Sequence, residues 1–204
     1  TDYRIIKLVS WIRDNTENSK KLLIPISGGS DSALVFKLCS IACPHKVIGT
    51  FFGSYKNLRS REYFESIGKV IYLDFIPHGE EEIYRWAKFQ NLSRTENAWL
   101  VGSRNATEQA LGTYSIASKV ATFLPISGVY KSQVLELCNF EDLILLENKY
   151  ITTYKTDDPI FGYNLAKVNE FRRNTFNNDV KLRLSKYNQK KHGNFEKFVL
   201  TNIY

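Results

Sequence analysis

The chain is poor in cysteine. Cys39, Cys43 and Cys138 are its only thiols, which is neither an even set for a disulfide framework nor a paired metal spacing. Cys39 and Cys43 stand four apart in an apolar stretch and read as small buried thiols on one helix face. No apolar run approaches the ~20 residues that cross a bilayer. The first residues lack the basic, apolar, small-residue order of a secretory signal. A cytoplasmic chain without a membrane partner is therefore expected. Repeats and low-complexity tracts are also lacking. Acids are the scarcer charge, 21 Asp+Glu against 28 Lys+Arg for a net +7. That balance favours anionic partners, such as nucleotides, nucleic acid or a membrane surface, without choosing among them.

What is present is ordinary globular material: 204 residues, 43% hydrophobic and 24% charged, enough for one well-cored domain. Ile5, Leu8, Val9 and Ile12 follow helical spacing within residues 3–13. The apolar run 22–26 then stops at Ser27-Gly28-Gly29-Ser30-Asp31-Ser32, and a helical pattern follows through Ala33, Leu34, Phe36 and Leu38. Further apolar runs at 47–52, 70–75 and 99–101 alternate with helix-compatible segments at 57–67 and 80–90. This alternation predicts a three-layer α/β fold, a parallel sheet with helices on both faces. Residues 1–140 form the expected nucleotide-binding core of a single domain. Residues 141–204 form an expected helical C-terminal part, with helices at 142–147, 164–173 and 180–187 following another at 131–138. The aperiodic stretch 149–162 reads as a mobile loop or active-site lid. A basic stretch at 181–197 reads as a solvated face or a phosphate or dimer contact.

The hexapeptide at 27–32 carries the chemistry. It lies between a strand and a helix, where orphan N–H groups and the positive end of the helix dipole face a ligand. Gly28 and Gly29 permit close approach. Ser27, Ser30 and Ser32 offer hydroxyls, and Asp31 offers a hard oxygen ligand for Mg²⁺. The Gly-Lys-Ser/Thr of a Walker loop does not follow. Asp31 is expected on a solvent-facing loop, where its removal leaves the fold near normal.

This segment resembles the pyrophosphate (PP) loop of the N-type ATP pyrophosphatases, whose fold is an adenine nucleotide alpha hydrolase-like, Rossmann-like sheet. Within that superfamily the chain is similar to the short, ammonia-dependent NAD synthetases. Val101-Gly102-Ser103-Arg104-Asn105-Ala106-Thr107-Glu108 resembles the family's "GT-x-N-x-x-E" stretch, and Pro125-Ile126-Ser127-Gly128-Val129-Tyr130-Lys131-Ser132-Gln133-Val134 its "P-I-x-x-L-Y-K-x-Q-V" stretch. The resemblance implies an AMP-forming amide ligase that adenylates a carboxylate with ATP and Mg²⁺ and passes ammonia to it. Glu108 then stands as the second metal carboxylate, beside Asp31. Ser103 meets the nucleotide phosphates and Lys131 neutralises phosphate charge, which suits a reaction whose barrier is charge on phosphate oxygens.

The acceptor side departs from the family. Where the family runs on through aromatics into "K-Y-G-D-G", this chain has Thr113-Tyr114-Ser115-Ile116-Ala117-Ser118-Lys119-Val120, without the Gly-Asp pair, and Tyr114 keeps an aromatic for stacking a planar ring. Thr152 or Thr153 stands for the lid threonine. The chain is short for the family, and deamido-NAD or another acid is the expected acceptor. Ammonia is expected free or from a separate glutaminase, since no cysteine has a nucleophile's context. The family resemblance implies a homodimer. Two other readings stand beside the ligase: a PP-loop tRNA-modifying enzyme, against which the lack of paired reactive cysteines weighs, and a non-catalytic adenine-nucleotide-binding module. His45, His78 and His192 are scattered and read as surface or loop residues.

Overall fold

The structure is a computed structural model and describes residues 2–27, 29–52, 61–74, 81–111, 114 and 116–140. Gly28, the proposed lid with Thr152 and Thr153, the helices expected beyond residue 140 and the basic stretch 181–197 lie outside the described residues.

The chain opens with α1 (Tyr3–Asn15), capped by the Asp2 carboxylate, which accepts a hydrogen bond from the Arg4 backbone N–H at 2.8 Å. Its predicted apolar stripe is its inner face: Ile5, Val9 and Ile12 are buried, and Leu8 packs partly buried against the same core. Next come β1 (Lys21–Pro25), α2 (Ser30–Ala42), β2 (Val47–Phe52), α3 (Arg61–Ile67), β3 (Lys69–Leu73), α4 (Glu81–Thr95) and β4 (Ala98–Leu100). A short α5 (Ala106–Leu111), a 3₁₀ turn (Ile116–Val120) and α6 (Lys131–Phe140) complete the described chain. Among the described residues no helix is long and apolar enough to cross a membrane.

The four strands form one parallel sheet in the order β3-β2-β1-β4. Leu22, Leu23, Ile24 and Pro25 of β1 sit opposite Val47, Ile48, Gly49 and Thr50 of β2, and Lys21, Leu22 and Leu23 sit opposite Ala98, Trp99 and Leu100 of β4. The central strand β1 is therefore a continuous apolar run, as burial on both faces requires. Its alternation divides the core. Leu22 and Ile24 join the larger cluster with α1, α2 and α6, including Phe36, Leu38 and Leu137, whereas Leu23 joins Ile48, Phe89 and Leu100 on the other face beneath α4. The expected three-layer arrangement is thus present.

Past β4 the chain returns alongside it. Val101 and Phe123 form a parallel bridge, and Gly102 N–H donates to the Phe123 carbonyl at 2.9 Å. A Cβ on Gly102 would fall 2.6 Å from Leu124 Cδ2 and 3.2 Å from Ala121 Cβ, so a side chain there would push the Leu124 methyl aside and crowd Ala121. The returning segment then delivers Lys131 to the start of α6.

Phe36 anchors the larger cluster. It is fully buried and its ring centroid lies 5.5 Å from that of Phe64. Phe36→Ala should lower unfolding free energy by about 3–5 kcal/mol, the usual combined cost of lost transfer energy and cavity. Urea unfolding of the variant checks this, and a loss below about 1 kcal/mol would show that the core collapses around the site.

Candidate active site

Chain order reverses at β1, which pairs with β2 on one side and with β4 on the other. In open parallel sheets the crevice for a ligand opens at the carboxyl ends of the strands at such a switch point. Here the turn after β1 and the turn after β4 both reach that point. A cavity of about 530 Å³ lies between them, lined by Ser27, Gly29 and Asp31 from the first turn, by Gly102, Ser103, Arg104 and Glu108 from the second, and by Tyr114. The PP-loop-like segment, the "GT-x-N-x-x-E"-like segment and the stacking candidate therefore share one cavity.

Helix α2 starts here with Gly29 as its N-cap and no side-chain cap. Its first-turn N–H groups have no acceptor within the helix. Inside the turn the hydroxyls hold one another: Ser27 and Ser32 Oγ lie 3.1 Å apart, Ser27 N–H donates to Ser32 Oγ at 3.2 Å, Gly29 N–H to Ser27 Oγ at 3.2 Å, and Ser32 Oγ to the Gly29 carbonyl at 3.2 Å. Of the expected hydroxyl donors, Ser27 lines the cavity. Ser30 and Ser32 are buried behind it.

Asp31 differs from the expectation. It belongs to the first turn of α2 and is buried, with Oδ2 2.9 Å from Lys131 Nζ and Oδ1 accepting from Asn105 Nδ2 at 3.0 Å. Lys131 is buried too and donates to Ser30 Oγ at 2.7 Å, while its backbone N–H donates to Thr107 Oγ1 at 2.9 Å. Asn105 caps α5, accepting from Glu108 N–H at 2.8 Å, and Glu108 Oε2 accepts from Asn105 N–H at 3.0 Å. This is a reciprocal capping box. The starts of α2, α5 and α6 are thereby tied around Asp31. Lys131 reaches the site through that carboxylate, from behind the cavity wall.

Sequence reasoning did not single out the wall opposite. Phe51 and Phe52 at the end of β2, and Glu82, Arg85, Trp86 and Phe89 of α4, also line the cavity. The α4 residues recur at i, i+3, i+4 and i+7, a one-face signal legible in the sequence, but nothing there said which face meets a ligand. Tyr114 is thus one of several aromatics, and one of its faces is taken by the Arg104 guanidinium, 3.9 Å from the ring centroid. Arg104 also donates to Gln109 Oε1 at 3.1 Å and Ser118 Oγ at 3.3 Å. Its Nε, like that of Arg85, is buried without a hydrogen-bond partner. Both cations line the cavity and have donor capacity to offer an anionic ligand.

All three cysteines are free and buried. Cys39 lies within α2 and Cys43 is its C-cap. Burial, with the neighbouring Cys43 as the lesser cause, pushes the Cys39 thiol above its ordinary range. Asp31→Ala would leave the Lys131 ammonium buried without its counter-charge, which costs about 3–5 kcal/mol in such pairs. The expectation of a near-normal fold is corrected accordingly. Urea unfolding should show this loss, and Asp31→Ala combined with Lys131→Met should lose less than the two single variants added together.

No family model matches the chain. The NH(3)-dependent NAD(+) synthetase of Campylobacter jejuni subsp. doylei is 27% identical over 209 residues, covering 86% of this chain and 84% of that protein. The enzyme of the same name from Carboxydothermus hydrogenoformans is 27% identical over 209 residues, covering 81% of this chain and 82% of its own. Among solved structures, the NMN synthetase of Francisella tularensis superposes with a TM-score of 0.72 at 18% identity over 93% of both chains. The NH3-dependent NAD synthetase of Campylobacter jejuni, solved with a nitrate ion, superposes with a TM-score of 0.64 at 20% identity over 98% of this chain and 100% of that one. The fold they share is the Rossmann-like adenine nucleotide alpha hydrolase sheet. With its glycine turn and two cavity-lining carboxylates at the switch point of that sheet, the chain is similar over more than 80% of its length to the NH(3)-dependent NAD(+) synthetases and shares the fold of the solved NAD and NMN synthetases.

Proposed function

We propose that the chain is an ATP-dependent, AMP-forming amide ligase of the ammonia-dependent type, converting deamido-NAD to NAD or amidating a related carboxylic acid. The observation that carries the reading is the meeting of Asp31, Glu108, Ser27 and Ser103 in one cavity with the uncapped start of α2. The triphosphate of ATP fits there: N–H groups of the α2 first turn and the Ser103 hydroxyl receive its oxygens. Arg104 adds charge from the turn after β4 and Arg85 from the wall opposite, and the aromatics of that wall accept a planar ring.

In this site the acceptor carboxylate attacks the α-phosphorus. The bond to the β-phosphate oxygen breaks and pyrophosphate leaves. Ammonia then attacks the acyl carbon of the mixed anhydride, AMP departs, and a proton is lost from nitrogen. The chain's part is to align the two reactants and to stabilise charge on the phosphate oxygens, and it forms no covalent bond to the substrate. Among the described residues no group of three or more His, Cys, Asp or Glu is placed to hold a metal alone. Two carboxylates with substrate phosphates are what Mg²⁺ commonly takes, so Asp31 and Glu108 fit it. When bound, Mg²⁺ supplies Lewis-acid polarisation of the phosphoryl oxygens. Lys131 contributes by holding Asp31. The lid threonine, Thr152 or Thr153, the homodimer, and ammonia arriving free or from a separate glutaminase belong to the same proposal.

Sulfur transfer to tRNA is disfavoured by the buried thiols. The native chain should react negligibly with a thiol reagent such as dithionitrobenzoate, and the denatured chain should react at all of its cysteines. Rapid reaction of a native thiol would revive that alternative. For the ligase itself, ATP, Mg²⁺ and ammonium with deamido-NAD, its mononucleotide analogue and simpler acids should give pyrophosphate and a product lighter by about one mass unit, as exchange of acid for amide requires. Release of pyrophosphate with none of these acids would leave only nucleotide binding.

A further inference from the structure

We infer that Asn105 is a positioning residue that sets the two cavity carboxylates relative to one another; the inference rests on the reading of Asp31 and Glu108 as the ligands of a phosphate-bound divalent cation. Asn105 is fully buried. Its Nδ2 donates to Asp31 Oδ1 at 3.0 Å, its Oδ1 accepts from Glu108 N–H at 2.8 Å, and its own N–H donates to Glu108 Oε2 at 3.0 Å. One residue thus contacts both carboxylate-bearing residues, on elements far apart in sequence.

The amide orientation is forced. Asp31, paired with Lys131, only accepts, and the Glu108 backbone N–H only donates. A flipped amide would set oxygen against carboxylate and N–H₂ against N–H. Among the good N-cap residues, Ser, Thr and Asp would serve α5 comparably. Ser and Thr have one short hydroxyl, already committed to the cap, and Asp would turn an acceptor toward Asp31. Asn alone of these caps the helix and donates across to the other carboxylate. Lys131 grips the opposite oxygen of Asp31, at 2.9 Å, so that carboxylate is held from both sides. Its rotation about the side chain is thereby restricted. Partners of this kind behind a ligand typically account for about 10–100-fold in metal affinity or activity.

Asn105→Ser separates the two duties, since it keeps a cap on α5 and removes the bond to Asp31. Mn²⁺ titration by electron paramagnetic resonance, with a non-hydrolysable ATP analogue present, should show affinity weakened about 10–100-fold. Thermal unfolding should come down by several degrees, because Asp31 Oδ1 loses a buried partner, and pyrophosphate turnover should fall by a factor similar to that of the Mn²⁺ affinity with the KM for the acid unchanged. Mn²⁺ affinity within about twofold of the parent would reduce Asn105 to a helix cap and overturn the inference. If Asn105→Ser does not fold, Asn105→Asp decides. It keeps shape and cap but loses the donated bond, so turnover should again fall about 10-fold or more, and parent-like turnover would overturn the inference. Failure of the amide reaction is distinguishable: a parent that binds Mn²⁺ with the analogue but amidates no acid removes the ligase reading and leaves the Mn²⁺ comparison to judge Asn105. A parent that binds no Mn²⁺ overturns both.

Discussion

The buried contact between Asp31 and Lys131, 2.9 Å from carboxylate to ammonium, governs the geometry of this site. Taking both charges out of water is costly, and the cost is tolerable only when the remaining donors and acceptors are met. Here Asn105 and Ser30 meet them. Because Lys131 starts α6, Asp31 lies in the first turn of α2 and Asn105 caps α5, one electrostatic arrangement fixes the mutual placement of all these helix starts. The Thr107 hydroxyl, accepting from the Lys131 backbone, closes the arrangement into a ring. A lone charge would have been accommodated by neutralisation or by movement toward water. A closed network has no such freedom.

The sheet determines where that network faces. A parallel sheet with β1 at its centre brings the turns after β1 and β4 side by side, although more than 70 residues separate Asp31 from Asn105. Glycine serves at two places for different reasons. Gly29 leaves the start of α2 without a side-chain cap, so its N–H groups remain for a ligand. Gly102 leaves room where the returning segment closes on β4, and a Cβ there would displace the Leu124 methyl and crowd Ala121. An uncapped helix start and the close packing of the returning segment therefore both draw on glycine in neighbouring turns.

The two halves of the cavity were unequally legible. Ser27, Gly29, Asp31, Ser103 and Glu108 stand in contiguous segments at the ends of strands, and contiguity is what a motif records. Arg85, Trp86 and Phe89 sit on an ordinary amphipathic helix. Their spacing marks a shared face, yet the same spacing serves a helix that only covers a core, and Phe89 does both. Arg104 occupies a variable position within a recognised stretch, and its stacking on Tyr114 depends on a fold of the backbone that the stretch does not encode by type. Asp31 was expected as a metal-binding acid on a solvent-facing loop, and the structure buries it. Residue type cannot report burial when the compensating charge arrives 100 residues later in the chain.

By itself the amino-acid sequence determined the alternation of strands and helices, the inward face of α1, the apolar run of β1, and the place of the glycine turn at the first strand-to-helix junction. These follow from periodicity and from short-range backbone needs, which are local properties. Tertiary structure alone decided which side of α4 meets the cavity, that Lys131 grips Asp31 from behind it, and that Asn105 joins one carboxylate to the other. These are contacts between residues distant in the chain, and their energies depend on burial and mutual orientation, quantities that exist only once the sheet has closed.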